Sequence, residues 1–331
     1  MKKIVGTIAA IALAASSAFA GVNVGMGFNR GFFVPFAYDG TDAKAGISTS
    51  WGAEPRVGVS FSAASEQVGV VADVKFDGGN VAVNDNAYIW VKPTSWFKMN
   101  IGQSFDDTLR GNACFGSWDW LRPGNILGED LIFTRVCNNP LAGAWAPLQG
   151  AILMLDPIEG LHISVGLPTG YGIAANWEDL VAKTQVQAGY TIADVAQIKA
   201  QWIGAGKNVD DEIEGQIEVA ASVKAIEGMT LDVGAKFRTV EDAPIDVAVF
   251  WGMPVAGLAL NANALVSIPT ADNADMSLAI GAGVGYDLGN GMGVGADVRY
   301  SQTFDDVTDP AIAFAAWFDK GIANGTLGVA V

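Results

Sequence analysis

The chain has little of what most catalytic and metal centres are built from. Among 331 residues there is one histidine, His162, and there are two cysteines, Cys114 and Cys137. Two thiols alone do not fill a tetrahedral zinc shell, and no histidine stands near them. No Gly-x-Ser-x-Gly elbow, phosphate loop, dinucleotide fingerprint or zinc-helix motif occurs. Ser164 shares a strand face with His162, but that spacing by itself does not make a nucleophile–base pair. Neither enzyme activity, nor a metal, nor a cofactor is therefore expected. Positive charge is scarce too, with 19 Lys and Arg against 35 Asp and Glu and a net charge of -16. Phosphates would be repelled, which excludes nucleic acid as a partner.

Long apolar runs are the other absence. The longest, Ile4 to Ala15, follows Lys2 and Lys3 and precedes Ala18-Phe19-Ala20, a small-x-small cleavage site. This is the pattern of a secretory signal peptide over residues 1–20, too short to span a bilayer. Its removal leaves residues 21–331 and takes the net charge to -18, since two lysines go with it. Beyond it no run of about 18 uncharged apolar residues remains, so no spanning helix is expected. Yet half the residues are hydrophobic and the mean hydropathy is +0.30. An exported chain this apolar, without a spanning helix, points to the other structure a bilayer tolerates, a closed β-barrel.

What is present fits that reading. Period-two alternation recurs along the whole chain. Val68, Val70, Ala72, Val74 and Phe76 alternate with Gly69, Val71, Asp73 and Lys75. Ile198, Ala200 and Trp202 alternate with Gln197, Lys199 and Gln201, and Leu231, Val233, Ala235 and Phe237 with Asp232, Gly234, Lys236 and Arg238. The second face carries charge in mid-strand (Asp73, Lys75, Lys199, Glu218, Asp232, Lys236, Asp297, Arg299), as a watery lumen allows. Aromatics such as Phe61, Phe76, Tyr190, Trp202, Tyr286 and Tyr300 close the strands, where barrels place their interfacial girdles. Tight turns alternate with longer polar segments at 39–54, 77–86, 105–147, 168–183, 204–215, 239–244, 270–275 and 302–309. Eight long loops imply about sixteen antiparallel strands connected up and down. A soluble exported β-protein is the rival that alternation alone does not remove. A structural or adhesive surface protein on the same barrel is another, disfavoured by mostly modest outer loops.

The stretch PRVGVSFSAASEQVGVVADVKF followed by NAYIWVKPTSWFKMNIGQSFDD, over about residues 55–107, resembles the first hairpins of the general bacterial porins. The chain departs from that family in ending on Val331 rather than an aromatic residue. The resemblance implies an all-β transmembrane antiparallel barrel whose third loop, residues 105–147, folds inward as a constriction. It implies a channel in the outer membrane for passive diffusion of ions and small hydrophilic solutes, embedded in outer-membrane lipid and assembled as a homotrimer. It also assigns one side of the constriction to the loop acids Asp106, Asp107, Asp119, Glu129 and Asp130. Alternation places Arg56, Lys75 and Lys98 on the facing wall, a basic side opposite an acidic one. Export and an even count favour a disulfide between Cys114 and Cys137, which would close that loop. Trp118 and Trp120, flanking Asp119, are expected to pack the loop against the wall.

Overall fold

The computed structural model describes residues 22–26, 32–38, 43–48, 57–77, 80–109, 148–170, 172, 176–193, 195–323 and 325–330. The first strands are β1 (Asn23–Met26), β2 (Phe32–Tyr38), β3 (Ala43–Ser48), β4 (Val57–Ala64), β5 (Val68–Asp77), β6 (Asn80–Thr94) and β7 (Phe97–Ser104). After the long loop come β8 (Leu148–Ile158), β9 (Leu161–Leu167), β10 (Gln185–Ile192), β11 (Ala196–Lys207), β12 (Ile213–Val223) and β13 (Thr230–Arg238). The series ends with β14 (Ile245–Val255), β15 (Leu258–Ile268), β16 (Ser277–Gly289), β17 (Met292–Thr303), β18 (Ala311–Ile322) and β19 (Gly325–Ala330). Among the described residues one short helix, α1 (Trp177–Ala182), lies between β9 and β10.

Each strand from β4 to β19 pairs antiparallel with the next, and β1 pairs with β4. Among the described residues this gives one up-and-down sheet of seventeen strands, with β2 and β3 paired separately. The sequence suggested about sixteen. The odd strand arises because the last segment is a strand of its own, turned back onto the lower half of β18 from Ile322↔Gly325 to Trp317↔Ala330. β1 and β19 consequently run the same way, and the sheet is not closed: among the described residues no ladder joins them.

The burial pattern is inside out relative to a water-soluble protein. Of the six largest fully buried side chains, Lys199, Ile152, Gln187, Glu218, Asn100 and Asp232, only Ile152 is apolar. Exposed positions instead include Ile198, Ile217, Val219, Val233, Val247, Val249, Ile280 and Val298. These two sets alternate strictly, so one face of the sheet is polar and enclosed while the other is apolar and open. Lipid makes this arrangement stable. Each outward Val, Leu, Ile or Phe side chain gains roughly 1.5–3 kcal/mol on leaving water, and the ladder satisfies the backbone groups that hydrocarbon cannot. No helix among the described residues is long and apolar enough to cross a membrane.

Two expected loops came out differently. The segment 77–86 is almost all strand: β5 reaches Asp77, β6 starts at Asn80, and the pair is closed by Asp77↔Asn80. Val81 and Val83 flanking Ala82 are good strand formers, and they pair with Phe76 and Val74. The polar run Asn84-Asp85-Asn86 that read as loop is a bulge, between Ala72↔Ala87 and Val74↔Val83. The expected loop 168–183 contains α1, started by Asn176, whose Oδ1 accepts from the Glu178 N–H at 3.0 Å.

Candidate pore lining and loop anchor

Register carries the enclosed face from strand to strand. Ser164 on β9 stands opposite Gln187, Gln187 opposite Gln201, Gln201 opposite Glu218, Glu218 opposite Lys236, Lys236 opposite Asp246, and Asp246 opposite Ser267. The row is stitched together by side chains. Glu218 accepts from Gln201 Nε2 and from Gln216 Nε2 at 2.6 Å, and lies 3.9 Å from Lys236 Nζ. Asp246 accepts from Arg238 at 2.8 Å and from Ser267 Oγ at 2.7 Å. A buried carboxylate is tolerable here because donors and a cation surround it.

The chain leaving β7 enters this enclosed space. At Gly102, φ is +127° and a Cβ would stand 2.3 Å from the Ala87 carbonyl; opposite it at Gly150, φ is +155° and a Cβ would stand 2.0 Å from the Leu167 carbonyl. Only glycine fits either place. Two residues past Ser104, Asp106 reaches the enclosed face of β9, close to the β8–β9 turn and to Asp156, whose N–H donates to the Trp96 carbonyl at 2.8 Å. There Asp106 Oδ2 meets His162 Nε2 at 2.7 Å, while His162 Nδ1 meets Asp156 Oδ1 at 2.7 Å. Ser164 Oγ donates to the same Asp106 oxygen, and Asp106 Oδ1 accepts from the Thr108 N–H at 3.0 Å. Three residues on, Leu109 is buried with its methyls where a Cβ on Gly189 would be, at 2.5 Å and 2.7 Å. Gly189 is paired with His162, so residues 106–109 lie across the enclosed face of β9 and β10. Residues 106–109 thus lie on the enclosed side, and 110–147 lie outside the described residues.

Electrostatics follow from this packing. Burial pushes the Asp106 carboxyl up, but the hydrogen bond and charge of His162, with donation from Ser164 and Thr108, outweigh it and hold the group at about 2. A cavity of about 310 Å³ opens beside the cluster, between Thr108, Leu109, the 158–162 turn and Thr191.

The comparisons with known proteins can be set against this geometry. No protein-family model matches the chain, and no curated protein matches it. Solved structures do. A mutant of the Rh. blastica porin superposes with a TM-score of 0.54 at 12% identity, covering 89% of this chain and 98% of that one. A second mutant of that porin covers 94% and 99%, at 13% identity and a TM-score of 0.54. The fold is porin-like. A loop-deletion mutant of OmpT, an outer membrane protein of Vibrio cholerae, agrees at 14% identity, 94% and 97% coverage and a TM-score of 0.52. At such identities the likeness concerns the fold, and this chain is a divergent porin-like β-barrel.

Of the residues singled out from sequence, Asp106, Asp107, Lys75 and Lys98 are described. Asp106 faces the wall rather than open water, and Asp107 beside it is exposed. Lys98 shares the enclosed face with Asn100, its ammonium 5.5 Å from the centre of the Trp90 ring. Lys75 lies on the enclosed side of β5, opposite Gly58 and two residues from Asp73, which accepts from Asn86 at 2.7 Å. Asp119, Glu129, Asp130, Arg56, Trp118, Trp120, Cys114 and Cys137 lie outside the described residues, as does the segment 1–20. Sequence reasoning assigned no role to Lys199, Glu218, Lys236 and Asp246, although alternation had put the first three on the charged face. It placed His162 on that face without a task, and gave no sign of Asp156, whose partner is six residues away around a turn.

Proposed function

We propose that the protein is an outer-membrane channel through which ions and small hydrophilic solutes diffuse passively. The observation that carries the reading is the inside-out burial: a sheet with charged and amide side chains enclosed on one face and aliphatic side chains open on the other. Water and solutes need the first face and lipid needs the second. The contacts of residues 106–109 with β9 and β10 support a constriction, because they bring chain into the space a solute would cross. In this reading residues 105–147 narrow the passage. Asp107, Asp119, Glu129 and Asp130 supply its acidic side, Asp106 anchors it, and Arg56, Lys75 and Lys98 supply the basic side. A Cys114–Cys137 disulfide would hold the loop's shape, and a cleaved signal peptide at 1–20 would deliver the chain. Lipid is the surrounding partner, and a homotrimer is the assembly. Catalysis is not part of the reading. Ser164 donates to the Asp106 carboxylate rather than to His162, so the serine–imidazole contact of a catalytic triad is not formed.

Single-channel recording of the purified protein in planar bilayers tests this. Discrete conductance steps that scale with salt are expected; conductance no higher than bare lipid would overturn the proposal.

A further inference from the structure

We propose that His162 is the positioning residue of the segment 105–109, acting as a doubly protonated ring clamped between Asp106 and Asp156, and that alkaline pH loosens this segment by removing one of those protons. The inference deepens the channel reading, on which its conductance arm rests.

Hydrogen-bond supply decides the state of the ring. A carboxylate offers only acceptors, and a neutral imidazole carries one N–H and one bare nitrogen. Here both ring nitrogens face a carboxylate oxygen at 2.7 Å. With both acids ionised, a neutral ring would bring one bare nitrogen against an oxygen lone pair. Two N–H groups make both contacts favourable, and the ring's positive charge is then shared by two negative neighbours. The ring is 4% exposed and Asp106 2%, so water does little to screen their contact.

The surroundings favour the charged ring as well. On the segment after β7 it faces Asp106, and on β8 it faces Asp156, whose side chain is 58% exposed. Glu159 in the β8–β9 turn lines the same cavity. On β9 and β10 the near neighbours are uncharged: Ser164, Gln187 and Gly189. The facing cations are Lys98 on β7, which stands over Trp90, and Lys199, paired with Gly189 across the next ladder.

The clamp has mechanical reach because Asp106 is the first loop residue fixed to the wall. Asp106 is tied to Thr108 by its own Oδ1, and Leu109 is seated on Gly189. Freeing Asp106 frees the segment 105–109 from the face of β9 and β10.

His162 is the only histidine, so its ring can be followed without assignment. The ¹⁵N spectrum of the detergent-solubilised protein, labelled on the imidazole, is recorded from pH 6 to pH 11. Two protonated nitrogens at pH 7, converting to one at alkaline pH, are expected; a neutral ring at pH 7 overturns the proposal whatever the channel does. Bilayer conductance is then compared at pH 7 and pH 10 for the wild type, His162→Gln and His162→Phe. The lumenal lysines titrate in all three, so only the difference counts. The wild type should show an extra change of about twofold, and both variants should lack it and resemble the released state already at pH 7. Equal pH responses in wild type and variants would overturn the positioning role. If no conductance appears at any pH while the ring titrates as expected, the channel reading fails and the clamp survives.

Discussion

The enclosed walls of β9–β13 and of β15–β17 are built from the same alternation, but they are buried to different degrees. On the first, His162, Ser164, Gln187, Lys199, Gln201, Glu218, Ser222 and Asp232 are all buried. On the second, Asn261, Asn263, Ser267, Ser277, Ser301 and Thr303 are only half-buried, with Asp297 the exception. Both walls are antiparallel ladders with a polar side and an apolar side. The first carries larger side chains, Lys, Gln and Glu where the second has Asn, Ser and Gly, and residues 106–109 rest against β9 and β10. A covered wall turns its charges into structure, held by partners; an open wall leaves them to water and solutes. Charge on a barrel's inner face can therefore serve folding on one side and passage on the other.

The largest effect should come from breaking the covered wall. Glu218→Ala leaves the Gln201 and Gln216 amides and Lys236 without their shared carboxylate, and should cost about 3–5 kcal/mol. Urea unfolding in lipid vesicles would measure it; a loss under about 1 kcal/mol would mean that the wall is wetter than its burial implies. Next comes the outer face, which both halves share. Val233→Arg places a charge in mid-strand on the lipid side and should cost about 2–4 kcal/mol, read as lost insertion into vesicles. An unaffected variant would argue against a bilayer around β13.

A third test uses acid. The Asp106 carboxyl is lowered from 3.8 to about 2, so its contribution is full above pH 4 and disappears as pH falls through 2. That gap corresponds to about 2 kcal/mol. Asp106→Asn should therefore be less stable than the wild type at pH 6, with the two converging below pH 2; parallel acid-unfolding curves would contradict the anchor. The smallest effect on stability belongs to the open wall. Ser301→Arg should change stability by no more than about 0.5 kcal/mol, yet move the reversal potential in a salt gradient toward anions. A folding defect would show that this wall is covered as well.

Much of this was legible in the chain before any coordinates. Alternation distinguished the two faces because side chains on a strand point to opposite sides with period two, and Lys199, Glu218, Asp232 and Lys236 all fell on the enclosed one. The break after Ser104 was equally plain. The loop at 77–86 misled because a bulge and a loop share polar composition, and only pairing across to β5 tells them apart. The candidate site was less legible. Acids near the start of the third loop drew attention to Asp106, but as a group facing the solute.

The sequence by itself determined the material of the two faces, the order of strands and the end at which the long loop leaves, because all three depend on neighbours within a few residues. Only the tertiary structure decided where the loop goes and which charges it engages. Asp106, Asp156 and His162 meet because the chain leaving β7 crosses the enclosed face of β9, and because the β8–β9 hairpin brings a carboxylate and an imidazole together. Contacts of that kind join residues as much as 56 positions apart, and their energy comes from a shared, enclosed environment that no local pattern encodes.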